Sequence, residues 1–206
     1  MKRLTISLAL LAPALALLAC AREPVDRVCP DLLPGDLVIT ELRGKQSGAD
    51  SYGQWVELYN AADRPIELGG VVIELRRLTG AGDYRFMVRD PDLTVEPGEY
   101  VVLGGLTAEG KAHVDYSYSG DLPGDLYAAA FIDLYTCGEL VDGLFYRALP
   151  ALGTYSLDGA QPPDAARNDD PDGGAWCTDD APPAPGEPVT ELGIRGTPGE
   201  ANRPCP

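Results

Sequence analysis

Gln54-Trp55-Val56-Glu57-Leu58-Tyr59-Asn60 alternates its side chains over seven residues. In an extended chain neighbouring side chains point to opposite sides. Trp55, Glu57 and Tyr59 therefore share one face, and Val56 and Leu58 the other. This predicts a strand with Val56 and Leu58 in a core and Trp55 packed at its edge. Glu57 is expected to accept structural hydrogen bonds rather than to act as a catalytic carboxylate. Working outward, the period of two holds from Asp36 onward. Strands are expected upstream at Leu37–Leu42 and downstream at Gly70–Arg77, Tyr84–Val88, Tyr100–Leu103 and Val114–Tyr118. Further strands are expected at Ala128–Tyr135, Leu140–Tyr146 and Thr154–Leu157. The Pro97-Gly98 pair marks a turn before Tyr100.

No segment of this region offers an amphipathic helix of three turns. Ala128-Ala129-Ala130 is helical by propensity, but its aromatic and β-branched neighbours favour a strand. Short strands separated by turn signals suggest a β-sandwich or barrel. From 159 to 206 the character changes: Pro, Gly, Asp and Asn dominate and the alternation fades. This stretch reads as an irregular tail lying on the sandwich. Neither an internal repeat nor a second domain is visible.

The strand order and its punctuation resemble the lamin tail domain, an immunoglobulin-like β-sandwich. The residues that carry the resemblance begin with Ile39-Thr40-Glu41, Trp55–Asn60 and Ile66-Glu67-Leu68-Gly69-Gly70. They continue through Leu93, Val95 and Pro97–Leu103 to Leu140-Val141-Asp142 and Gly196-Thr197-Pro198-Gly199-Glu200-Ala201-Asn202. The resemblance spans Asp36 to Asn202. Two positions depart from it: Val71 stands where the family often has an aromatic, and Cys137-Gly138 where it has an Asn-Gly-like turn. The resemblance implies an all-β, immunoglobulin-like sandwich, to which the residues themselves add an irregular C-terminal tail stapled by Cys177–Cys205. It implies an interaction or structural module, as in nuclear lamin tails, and bacterial members look like secreted or lipid-anchored modules. It brings no catalytic residues. Apart from any resemblance, Pro198 and Gly199 set a turn and Asn202 is suited to bonding nearby backbone.

The N-terminus reads as an address. Lys2 and Arg3 precede an uncharged apolar run, Leu4–Ala19, that is short for a membrane span and suited to a secretory signal. It ends Leu17-Leu18-Ala19-Cys20, which resembles a bacterial lipoprotein signal in which the Cys is lipidated and becomes the mature N-terminus. Several acyl chains would anchor the protein stably. Ala21 rather than Asp after the Cys favours the outer membrane. The expected organisation is a signal peptide at 1–19, a lipidated Cys and tether at 20–35, and the sandwich with its tail at 36–206.

Four cysteines remain: Cys29, Cys137, Cys177 and Cys205. An even number in an exported domain implies disulfides, and four allow three connectivities. The favoured pairs are Cys177–Cys205, which closes the Pro-rich tail, and Cys29–Cys137, which ties the N-terminal extension to the body. With Cys29 pinned, the free tether is Ala21–Val28, and eight residues span at most ~29 Å.

The chain of 206 residues carries 16 Lys and Arg against 32 Asp and Glu, a formal charge of −16. Loss of residues 1–19 removes two basic residues and no acid, leaving −18. Such a domain repels nucleic acid, whose binding depends on neutralising phosphates. The single His, His113, reads as an exposed loop residue. There is no nucleophile elbow, phosphate loop or dinucleotide fingerprint. The Tyr residues 116, 118, 127, 135 and 146 are expected to edge the core, with a sugar or peptide platform as the alternative. The densest acidic run, Asp164, Asn168, Asp169, Asp170 and Asp172 with Asp179 and Asp180 beyond it, has calcium ligand types but lacks EF-hand spacing. Asp169, Asp170 and Asp172 are the candidate calcium ligands, and no other cofactor is expected. The expectation is a non-catalytic lipoprotein of the cell envelope, anchored to the outer membrane, with a protein or cell-surface polymer as partner. The alternatives are a calcium-dependent adhesive or carbohydrate-binding module and a carboxylate hydrolase.

Overall fold

The structure is a computed structural model describing residues 28–48, 50–106, 112–121, 124–169, 171–182 and 194–206. Among these residues the strands are β1 (Leu37–Arg43), β2 (Trp55–Asn60), β3 (Ile66–Glu67), β4 (Val72–Arg77), β5 (Asp83–Met87) and β6 (Thr94–Val95). They continue with β7 (Tyr100–Gly104), β8 (Tyr116–Ser117), β9 (Ala130–Thr136), β10 (Glu139–Tyr146), β11 (Thr154–Leu157) and β12 (Trp176–Asp179). One helical turn, α1 (Ala165–Asn168), follows β11. A six-stranded sheet runs β12-β11-β1-β2-β7-β8, and a four-stranded sheet β10-β9-β4-β5. A two-stranded ribbon, β3-β6, completes an immunoglobulin-like sandwich.

The inner faces of the two large sheets meet in one core. Val56 and Leu58 pack there with Ile39, Ile73, Ile132 and Leu134, as the alternation predicts. Local chemistry sets the turns. Cys137 and Gly138 both have positive φ, 46° and 98°. Two such residues between paired strands make the tight hairpin turn that matches strand twist, and Thr136 pairs with Glu139 across it. At Pro97-Gly98 the ring fixes the first central residue and Gly98 supplies φ of 80°. The Glu99 amide donates to the Glu96 carbonyl at 3.1 Å and closes that turn.

Three expectations change. Only Tyr116–Ser117 of the Val114–Tyr118 alternation forms a strand, and it runs parallel to β7. The tail contains a strand that alternation does not mark: β12 pairs with β11 over Thr154–Leu157. Trp55 is fully buried rather than at the core's edge. It lies on the opposite side of β2 from Val56, in a small cluster with Val102 and Ile194.

The disulfides join Cys29 to Cys137 and Cys177 to Cys205. The first fastens the N-terminal segment to the β9–β10 turn. The second links β12 to the C-terminus.

Candidate functional site

Two acidic regions lie on different sheets, and their surroundings separate them. In the six-stranded sheet a bulge at Thr40 brings Glu41 directly opposite Glu57. Both are completely buried. Burial raises the proton affinity of Glu41, and it raises that of Glu57 further, helped by the nearby Glu41 charge. Glu41 Oε1 accepts from Trp55 Nε1 at 2.9 Å, and its Oε2 accepts from the Thr154 and Ser156 hydroxyls at 3.0 Å each. Glu57 Oε1 accepts from the Thr40 hydroxyl at 2.8 Å.

The Gly196–Asn202 segment closes over this pair as a strap. The Thr197 amide donates to Glu41 Oε2 at 3.1 Å and the Gly199 amide to Glu57 Oε2 at 2.7 Å. Asn202 Nδ2 donates to the carbonyls of Thr40 and Leu157, at 2.8 and 2.9 Å. These partners are distant in sequence rather than local. Glu57 is thus a fastening point for the tail, accepting from Thr40 and Gly199 rather than from Arg.

The second region is open. On the outer face of the four-stranded sheet, Phe131 and Asp133 of β9 stand opposite Phe145 and Gly143 of β10. A Cβ at position 143 would come within 2.7 Å of Asp133 Oδ1. Arg76 donates to Asp133 at 2.6 Å, with its guanidinium carbon 5.0 Å from the centre of the Phe131 ring. Arg147 sits 5.0 Å from the centre of the Phe145 ring and pairs with Asp172 at 3.0 Å. Phe131 and Leu140 remain 36% and 49% exposed.

β10 ends its sheet, and a groove of about 690 Å³ follows it from Leu140 to Phe145. Pro34-Gly35 and the first turn of α1 form the far wall, with Asp164 and Asp169 at the rim. Asp164 caps α1 by accepting from the Ala166 amide at 2.9 Å, which fixes the helix beside β10. Asp142 lines the groove and is only 4% exposed. Its Oδ2 accepts from the Ile39 amide at 2.7 Å and from Asn168 Nδ2 at 2.6 Å. Burial pushes the Asp142 carboxyl up to about 7, with these donors opposing the shift. Asp142 Oδ1 and Asn168 Oδ1 are buried without a hydrogen-bond partner.

Asp169 is exposed at the end of α1, Asp172 is held by Arg147, and Asp170 lies outside the described residues. Asp179 pairs with Arg203 at 2.7 Å. No group of three acidic, His or Cys side chains suited to a metal occurs among the described residues. His113 is only 3% exposed, which corrects the expectation of an exposed loop residue. Its ring lies 5.3 Å from that of Trp55, and its Nε2 is 3.0 Å from the Tyr52 carbonyl oxygen. Four of the Tyr residues belong to or edge the core, Tyr118 and Tyr146 buried and Tyr116 and Tyr127 half-buried, whereas Tyr135 is half-buried on the outer face of β9. The hydroxyls of Tyr116, Tyr118 and Tyr146 donate to backbone carbonyls, the last to Tyr127 at 2.8 Å.

Sequence reasoning missed the groove, and it quoted Asp142 only for the resemblance, without its buried role. The one available signal was Asp142 interrupting the apolar run Leu140–Tyr146. Cys20 lies outside the described residues. Compared with known families, the chain matches the Lamin Tail Domain over residues 33–147. That span holds β1 through β10 and stops before β11, β12 and the strap. No curated protein matches the chain.

Proposed function

The chain belongs to the lamin tail domain family, a non-catalytic one, and on that premise we propose a lipid-anchored lipoprotein of the cell envelope whose sandwich is an interaction module. The outer face of the four-stranded sheet is its working surface. The observation that carries this surface is the exposure of Phe131 and Leu140 beside an edge strand and a groove. Apolar side chains grouped at such a place mark interaction surfaces in soluble domains. The six-stranded sheet lacks a comparable open face where the strap covers Glu41 and Glu57.

The anchor reading is supported by Lys2-Arg3, the apolar run to Ala19, and Cys20 followed by Ala21. The domain division at 19 and 35 and the outer-membrane address belong to this proposal. Cys29 is bonded to Cys137, so an anchor at Cys20 would hold the β9–β10 turn within ~29 Å of its membrane. The groove along β10 begins near that turn.

Two substitutions test the reading separately. Cys20→Ser should move the protein from the membrane fraction to the soluble fraction; unchanged partitioning removes the anchor. Phe131→Ser with Leu140→Ser should abolish envelope cross-links while leaving the melting temperature within a few degrees. Retained cross-links remove this face from the function.

A further inference from the structure

We propose that Glu41 and Glu57 hold one proton between them, carried by Glu57, and that seating the C-terminal strap takes this proton up. The tail is then fastened more tightly in mildly acid medium than in alkaline medium. Three features carry this.

The first is the pairing itself. The bulge in β1 sets the two acids directly opposite each other, and both are completely shut off from solvent. Two carboxylates in one dry site do not both ionise without a cation between them. Among the described residues the neighbouring cations are turned elsewhere. Arg43, next on the same face of β1, is paired with Asp50 at 2.9 Å, and Arg195, before the strap, donates to the Asp180 carbonyl. The remaining titratable groups around the pair bring negative charge or none. Asp115 adds to the repulsion on Glu57, and it is itself eased by His113 and the Val102 amide. Burial keeps the Tyr100 hydroxyl of β7 protonated, and Glu200 of the strap is exposed.

The second is the unequal supply of donors, which decides where the proton sits. An N–H points at each oxygen of Glu41: Trp55 Nε1 at Oε1 and the Thr197 amide at Oε2. The hydroxyls of Thr154, Ser156 and Thr197 also crowd onto Oε2. Such a set favours the ionised form. Glu57 has one N–H, from Gly199 to Oε2, and its Oε1 meets only the Thr40 hydroxyl. A hydroxyl accepts as readily as it donates, so a proton on Glu57 Oε1 has the Thr40 oxygen to receive it. The stronger upward shift at Glu57 than at Glu41 agrees with this order.

The third is what the strap brings. It lays one backbone amide on each acid and no positive charge. Lifting it readmits water, and both acids then ionise above about pH 5. Reseating it requires one proton. Glu57 binds its proton more tightly when the strap is seated, so its contribution is full below the ordinary carboxylate range and is lost as pH rises through the seated value. Within that window the seating constant falls about tenfold per pH unit.

The test compares the full chain in detergent with Glu57→Gln and Glu41→Gln. A Gln at 57 imitates the neutral acid, its amide donating to Thr40 and its oxygen accepting from Gly199. A Gln at 41 sets its own N–H groups against those of Trp55 or Thr197. Glu57→Gln should leave the melting temperature within about 3 °C, and Glu41→Gln should lower it by about 8 °C or more. Hydrogen exchange of the Thr197 and Gly199 amides, corrected for the intrinsic rate, reads strap opening directly. Their protection should fall at least about tenfold from pH 5 to pH 8 in the unaltered chain and less than about threefold in Glu57→Gln. An infrared band of a neutral carboxyl group at pH 6 should vanish in Glu57→Gln. Equal losses in the two variants, or a larger loss in Glu57→Gln, would overturn the assignment of the proton. Protection that does not change with pH in the unaltered chain would show that seating takes up no proton. If Glu41→Gln fails to fold, the exchange and infrared comparison of Glu57→Gln with the unaltered chain still decides.

Discussion

β2 and β9 carry the same alternating triplet in the two sheets of the sandwich: Trp55, Glu57 and Tyr59 in one, Phe131, Asp133 and Tyr135 in the other. In each the intervening residues enter the common core. Their fates diverge on the outer face. Trp55 and Glu57 are fully buried beneath Ile194 and the strap. Phe131 stays exposed, and Asp133 is held by an arginine that is itself partly in solvent. The difference lies in what the rest of the chain lays over them. Under the tail the acid becomes a fastening with many donors; on the other sheet it is shielded by a single arginine while the aromatic beside it stays in solvent.

The largest effect expected from this contrast is Glu41→Ala against Asp133→Ala. Removing the Glu41 carboxylate takes the acceptor from the Trp55 indole, from the Thr154, Ser156 and Thr197 hydroxyls and from the Thr197 amide, so about 3–5 kcal/mol of stability should be lost. Asp133→Ala should cost less, about 1–2 kcal/mol, because Asp133 is buried but Arg76 keeps 44% of its side chain in solvent and is rehydrated when its partner is removed. Urea unfolding at one pH measures both, and equal losses would erase the contrast.

Opening the Cys177–Cys205 loop comes next. Its ends are 28 residues apart, and Cys177→Ser with Cys205→Ser should cost about 3–4 kcal/mol on the loop-entropy account. Limited proteolysis should then cut the tail before the β9–β10 hairpin. Uniform digestion would show that the strap holds without the bond.

Glycines sharpen the comparison further. A Cβ at Gly159 would fall 1.7 Å from the Asn202 carbonyl oxygen, which is backbone of the strap, so Gly159→Ala should cost about 2–3 kcal/mol. At Gly143 the obstacle is the Asp133 side chain, which is able to swing away. Gly143→Ala should cost less than about 1 kcal/mol by thermal unfolding. A larger loss at 143 than at 159 would make the β10 face the rigid one.

The smallest expected signal is in pH. Glu41, Glu57, Asp115 and Asp142 all bind protons more tightly in the folded chain. Their contribution is fully present below the unfolded carboxylate range and is lost as pH rises through the folded values. Asp158 and Asp172 are shifted the other way, and their contribution is lost only below about pH 4. The melting temperature should therefore be higher by a few degrees at pH 5 than at pH 8. Asp142→Asn should flatten the part of this slope ending near pH 7. A melting temperature that rises from pH 5 to pH 8 would contradict it.

Much of the sandwich is legible in the sequence because a strand with one buried face must alternate. Val56 and Leu58, or Ile132 and Leu134, declare their side by spacing alone. The Cys137-Gly138 turn is legible only in part: Gly138 marks it, but the positive φ of Cys137 is imposed by the pairing of β9 with β10. β12 is not legible, because Trp176-Cys177-Thr178-Asp179 is too short to show a period and is ordered by its pairing with β11. The groove is invisible for a related reason: Asp142, Asn168 and Ile39 meet across more than a hundred residues of chain.

By itself the sequence determined which residues alternate, where the turns fall, the acidity of the domain and the family it resembles. All of these depend on neighbours within a few positions or on simple counting. Only the tertiary structure decided which of the two aromatic–acid–aromatic faces is covered, because that depends on where a distant tail comes to rest. It also decided that Trp55 and His113 are buried and that β10 ends its sheet, with the Gly35 amide on its Val141 carbonyl. Burial and exposure are properties of an assembled surface, and no single strand carries them.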